Sequence, residues 1–221
     1  MKLNELKLNM RPMKKDPRGF GPRIKTATTI GSGIQTLVYA QKKIPNAVMK
    51  VIVVDHDQAS AVQFLRICSN HPENPFFPKI YAYKMVKAKD LSEEDLEYLE
   101  DTGAILFSED GGGQYLIVIC EKLNPYFTLP VSTKSYMISQ LGILDLLNET
   151  MSMYDIFLTT KGRETVRQTT TNPQFRNALR LLEPLFRIYQ PDMHDGNFMV
   201  RGTNQLIIND PIAAWAYEED F

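Results

Sequence analysis

Short apolar runs separated by turn residues dominate the first half of the chain. Ile24–Ile30 leads to Gly31-Ser32-Gly33, Leu37-Val38-Tyr39-Ala40 follows, and a turn at Pro45-Asn46 precedes the β-branched run Ala47–Val54. Three such runs predict an antiparallel meander. Between Asp55 and Asn70 the period lengthens. Ala59, Val62, Leu65 and Arg66 recur at helical spacing, and Pro72, Pro75 and Pro78 end the pattern. Lys79–Val86 reads as a further strand, and Tyr115–Glu121, after the turn Gly111-Gly112-Gly113, as a buried one. Ser92 with Asp95, ahead of Leu96 and Leu99, has the capping-box pattern and predicts a short acidic helix ending near Gly103.

After Asn124-Pro125 the texture turns helical. Ser135–Met153 reads as one amphipathic stretch, and the polar segment Thr159–Thr171 as a loop. Asn172-Pro173 is a helix start, because proline fits the first helical position. Ala178, Leu181, Leu182, Leu185 and Tyr189 hold one face of that helix, which Pro184 should kink or break. Phe198–Arg201 and Gln205–Asn209 read as two short strands. The pattern therefore predicts an α+β chain, strand-rich first and mostly helical later.

Charge and composition narrow the classes. The 221 residues are 43% hydrophobic and 23% charged, enough for one substantial core or two small lobes. A net charge of −1 argues against a dedicated nucleic-acid binder. The apolar runs are too short for a bilayer, and residues 1–25 hold no run of signal-peptide length. Cys68 and Cys120 alone build neither a disulfide framework nor a zinc site, so a cytoplasmic protein with two reduced thiols is expected. Residues 1–25 carry eight basic side chains against two acidic ones, which reads as a basic arm. Residues 90–110 carry nine acidic side chains and no basic one, which reads as a solvated face.

Two places carry chemistry. Gly31-Ser32-Gly33 on a strand–turn–strand could bring backbone N–H groups close to phosphates, although hairpins use the same residues. Lys50 interrupts the apolar strand Val48-Met49-Lys50-Val51, where a buried ammonium needs an anion. The denser place is Pro191-Asp192-Met193-His194-Asp195-Gly196-Asn197, directly after a helix, with Asp210 behind a second β-like run. A polar turn explains the glycine and asparagine but not an acidic residue at the end of each element.

In order and spacing these parts resemble the protein-kinase fold. Gly31-Ser32-Gly33 through Val38 resembles the glycine-rich loop, with Thr36 where the third glycine stands. Val48-Met49-Lys50 resembles the lysine strand, and Cys120-Glu121-Lys122-Leu123 the linker between lobes. Asp192 and Asn197 match the catalytic-loop Asp and Asn, and Asp210-Pro211-Ile212 the Asp-Phe-Gly position. The signature looks most like bacteriophage-encoded serine/threonine kinases and minimal bacterial effector kinases.

The resemblance implies a bilobal fold: a basic arm at 1–23, an antiparallel β lobe at 24–123 with an acidic insert near 89–113, and a reduced, mostly helical lobe at 124–221. That lobe would lack the helices that usually follow the Asp-Phe-Gly position. It implies ATP and Mg²⁺ as cofactors and a protein substrate, such as a host protein in the host cytoplasm, with no nucleic-acid or membrane partner. Asp192 would accept the proton of a Ser or Thr hydroxyl, and Asn197 and Asp210 would hold Mg²⁺. Lys50 would clamp the α- and β-phosphates, with Asp57 or Gln63 as its candidate partner. Gly31, Ser32, Gly33, Val38, Glu121 and Leu123 would bind nucleotide, with Cys120 at the back of the adenine pocket. His194, where many kinases carry lysine, would contact phosphate or brace the loop. Asp195 would be a solvated neighbour. Gln190-Pro191 replaces the usual His-Arg, which argues against control by a phosphorylated loop. A small-molecule phosphotransferase and a non-catalytic binding module are the alternatives on the same scaffold.

Overall fold

The computed structural model describes residues 29–33, 36–40, 46–54, 60–101, 113–149 and 152–213. The basic arm, Asp57, most of the Gly111–Gly113 turn and the chain after Ala213 lie outside these residues. The fold is α+β and divides into two compact units. One holds the described residues of Met1–Val62 with Lys79–Lys122, the other Gln63–Pro78 with those of Leu123–Phe221.

The first unit is built on one antiparallel sheet. Its strands are β1 (Thr29–Gly33), β2 (Thr36–Ala40), β3 (Ala47–Val54), β4 (Ile80–Lys87) and β5 (Gln114–Glu121), in the order β1-β2-β3-β5-β4. Valine and isoleucine make β3 and β5 the central strands, because branched side chains pack well on a pleated surface covered on both sides. Asn46 turns the chain into β3 with a φ of 58°, a conformation that asparagine tolerates better than most residues. Alternation sorts the side chains into two faces. Leu37, Tyr39, Met49, Val51, Val53, Tyr115, Ile117 and Ile119 form one core. The acidic helix α2 (Glu93–Asp101) adds Leu99, fully buried, and Leu96, while Glu93, Glu94 and Glu97 stay exposed. Glu93, Glu94 and Glu97 of the acidic run are thus the wet side of an amphipathic cover.

Helix α1 (Ser60–Asn70) leads into the second unit. There the expected single helix Ser135–Met153 is three: α3 (Val131–Leu141), α4 (Leu144–Glu149) and α5 (Met153–Leu158). Gly142 ends α3 in the left-handed region, φ 70°, and a Cβ there would lie 2.3 Å from Thr171 Oγ1. Ser152 and Asp155 then cap α5 reciprocally.

The expected loop at Thr159–Thr171 is mostly helix, α6 (Thr160–Thr169). Thr159 caps it by accepting from the Gly162 N–H. Arg163 is buried and donates to the Phe157 and Leu158 carbonyls and the Thr160 hydroxyl, lies 3.5 Å from Glu183, and stacks over Phe186. A polar stretch therefore packs inward through an arginine, which hydrophobic periodicity does not register. Helix α7 (Pro173–Phe186) starts as expected, with Asn172 accepting from the Gln174 and Phe175 N–H groups. It runs past Pro184 to Phe186. Proline there stands in the last turn, so few helical bonds lie beyond it.

Short strands complete this unit. β6 (Asn124–Pro125), β8 (Phe198–Arg201) and β9 (Gln205–Ile208) form one antiparallel sheet in the order β6-β8-β9, and β7 (Gln190–Pro191) pairs with β10 (Ile212–Ala213). Arg201 donates to the Pro75 and Phe77 carbonyls, and the Ile208 N–H to the Phe76 carbonyl. Among the described residues, no helix is long and apolar enough to cross a membrane.

Candidate functional site

Two short ladders bring the acidic residues of the second unit together. The β8–β9 hairpin places Phe198 opposite Ile208, so Asn197 and Asn209-Asp210 emerge side by side. The β7–β10 pair does the same from the other side, and the Asp192 N–H donates to the Pro211 carbonyl at 2.8 Å. The Asn197 carbonyl accepts from the N–H groups of Asn209 at 3.0 Å and Asp210 at 3.4 Å. Asn197 Nδ2 donates to the Asp192 carbonyl at 2.8 Å and to its Oδ2 at 2.9 Å. Asp192, Asn197 and Asp210, spread over nineteen positions, thus form one cluster. Buried Pro191, Met193 and Phe198 anchor the loop between them.

The rest of the loop is shaped by its own side chains. His194 caps a single 3-10 turn, Asp195–Asn197, by accepting the Gly196 N–H on Nδ1 at 3.0 Å. Its Nε2 stands 3.6 Å from Asp192 Oδ1, beyond hydrogen-bond length. Asp195 is exposed, as expected of a solvated neighbour, and its Oδ2 also lies 3.2 Å from Lys134 Nζ on α3. Lys134 also sits 5.1 Å above the Tyr126 ring, which meets Phe198 edge-on with centroids 6.1 Å apart. Burial, and secondarily the Asp195 charge, push the Tyr126 phenol up to about 12. Lys134 and Tyr126 escaped the sequence reading, because nothing in the local pattern points from Asp195 to a partner sixty-one positions away.

The oxygens suit a hard cation. The two bonds from Asn197 Nδ2 turn its Oδ1 away from Asp192, and the Asp210 backbone N–H is held on the Asn197 carbonyl. Magnesium takes one or two protein oxygens and keeps several waters, so this donor set fits it. No cluster of three or more His, Cys, Asp or Glu suited to a metal occurs among the described residues.

The remaining candidates belong to the first unit, apart from Leu123 and Gln63, which are half-buried in the second. Lys50 is the one incompletely buried residue of β3 and lies opposite Val38 on β2 and Val118 on β5. By strand alternation it shares its face with Val48, Ile52 and Cys120, away from the α2-covered core. Burial raises the Cys120 thiol, the Lys50 charge opposes that shift, and Glu121 adds to it. Glu121 is buried, and its Oε1 accepts from the Lys79 N–H at 2.8 Å. Gly31 pairs with Val38, Ser32 with Leu37 and Gly33 with Thr36 in the β1–β2 hairpin. Gln63 is half-buried on α1, in the second unit. No protein-family model matches the sequence, and no curated protein matches it.

Proposed function

We propose that the chain is an ATP- and Mg²⁺-dependent protein kinase with a kinase-like bilobal fold, transferring the γ-phosphate to Ser or Thr hydroxyls of a protein substrate, and that it is of the phage or effector type. The observation that carries this reading is the hydrogen-bonded cluster Asp192–Asn197–Asp210. Phosphoryl transfer asks a protein mainly for positioning and charge stabilisation, and this cluster supplies an oriented carboxylate beside two cation ligands. Asp192 holds the acceptor hydroxyl and takes its proton as the new O–P bond forms and the bond to the β-phosphate oxygen breaks. Asn197 and Asp210 hold Mg²⁺, which when bound neutralises charge developing on the phosphates.

Lys50 supports the same reading from the first unit. An ammonium on the third strand, amid apolar neighbours, is what the kinase template requires to pair with the α- and β-phosphates. Val38 on its face gives apolar surface for adenine, and the Gly31–Gly33 backbone covers phosphate. The chain passes between its two units at Lys122–Leu123, within the segment that resembles the inter-lobe linker. Glu121 stiffens that segment through Lys79.

The test is the chemical identity of the product. Protein incubated with Mg²⁺, γ-labelled ATP and a bacterial extract should yield acid-stable label in phosphoserine or phosphothreonine. Label confined to small molecules would contradict the protein acceptor. No label, with no nucleotide-induced rise in melting temperature, would contradict the kinase reading.

A further inference from the structure

Resting on that reading, we infer that His194 is a positioning residue that holds the Asp192 carboxylate in its reactive rotamer. Three observations converge. Nδ1 accepts the Gly196 N–H, so the neutral ring carries its proton on Nε2. That Nε2 is the ring atom facing Asp192 Oδ1, at 3.6 Å. Asn197 already holds the other oxygen, Oδ2. Between them the two donors address both carboxylate oxygens, and the long contact is of the kind that tightens when substrate binds.

A fourth observation explains a glycine. A Cβ on Gly196 would lie 2.7 Å from His194 Cε1 and 3.0 Å from Nδ1. Residue 196 is therefore bare where the imidazole folds back over the turn. Glycine here lets the ring lean toward Asp192, and no positive φ is involved. A side chain needed only to cap the turn would not require this, because asparagine or aspartate caps such a turn with a shorter reach.

That difference in reach separates the two roles. Asparagine imitates Nδ1 and keeps the cap, whereas glutamine imitates Nε2 and keeps the donor to Asp192. His194→Asn should lower kcat at least about tenfold, the scale of a misplaced reacting group. The KM for ATP should stay within about twofold, and His194→Gln should recover most of the loss. Gly196→Ala should reproduce the His194→Asn defect with an unchanged melting temperature, since only the end of one side chain must move. Wild-type kcat in His194→Asn, or a glutamine variant no better than asparagine, would overturn the assignment. If the wild-type protein transfers no phosphate, the kinase reading fails separately, and the ring is then judged by ¹⁵N NMR. An Nε2-protonated His194 whose Nε2 resonance moves in Asp192→Ala would support the contact. An Nδ1-protonated ring, or no response, would overturn it.

Discussion

Replacing Asn197 by Asp exchanges one atom, the Nδ2 amide, for an oxygen. The amide makes two hydrogen bonds, to Asp192 O at 2.8 Å and Oδ2 at 2.9 Å. Their loss removes about 2 kcal/mol, taking about 1 kcal/mol for each partly buried bond. Two carboxylate oxygens 2.9 Å apart then repel by about 1.4 kcal/mol even at the dielectric of water. Water is the right reference here, because the Asp192 side chain is 31% exposed. The sum, about 3 kcal/mol, corresponds to a fall of roughly 6–12 °C in melting temperature for a chain of this length. Asn197→Ala loses the bonds without the repulsion and should fall by about 4–8 °C. Mg²⁺ should restore part of the loss in Asn197→Asp, which keeps an oxygen at the ligand position, and none in Asn197→Ala. Differential scanning calorimetry in EDTA and in Mg²⁺ reads both effects. An Asn197→Asp protein melting within about 2 °C of wild type in EDTA would refute the claim that this amide organises the loop.

Other consequences are equally concrete. Gly162→Ala places a Cβ 2.0 Å from the Ile156 carbonyl, so it should destabilise by about 1–3 kcal/mol where helix propensity alone predicts a gain; chemical denaturation gives the sign. Tyr126, raised from 10 to about 12, should ionise well after an ordinary tyrosine in a spectrophotometric titration. A raised folded-state value means stability is intact below pH 10 and lost as pH climbs toward 12, and Tyr126→Phe should flatten that decline. A double-mutant cycle on Lys134 and Asp195 should return a coupling of only about 0.2–1 kcal/mol, because water reaches both side chains; a coupling above about 2 kcal/mol would contradict it.

Strands β2 to β5, β8 and β9 were legible from the sequence because their apolar runs are bounded by turn residues, as at Asn46 ahead of Ala47–Val54, whereas the two-residue strands β6, β7 and β10 were not, and Gly31–Gly33, expected as a turn, belongs to β1. Helix α7 announced itself through Asn172-Pro173 and a regular apolar face. Helix α6 did not, since its inward anchor is Arg163, whose partners Glu183 and Phe186 come from a later helix. The breaks around Gly142 were also hidden. Apolar residues continue across it at helical spacing, and the reason for glycine is Thr171, brought close only by folding. At the candidate site, Asp192 and Asp210 could be singled out as an acidic residue at the end of each element, and Asn197 through its kinase-like spacing from Asp192. Their hydrogen bonds needed the β7–β10 and β8–β9 pairings, and Lys134 and Tyr126 needed the packing of α3.

The central claim is tested most directly by single-turnover transfer of the γ-phosphate in Mg²⁺, comparing wild type with Asp192→Ala and Asp210→Ala. The account predicts Mg²⁺-dependent transfer by the wild-type protein, lost in both variants while each still melts cooperatively. Transfer at the wild-type rate by Asp210→Ala, or by Asp192→Ala, would contradict it.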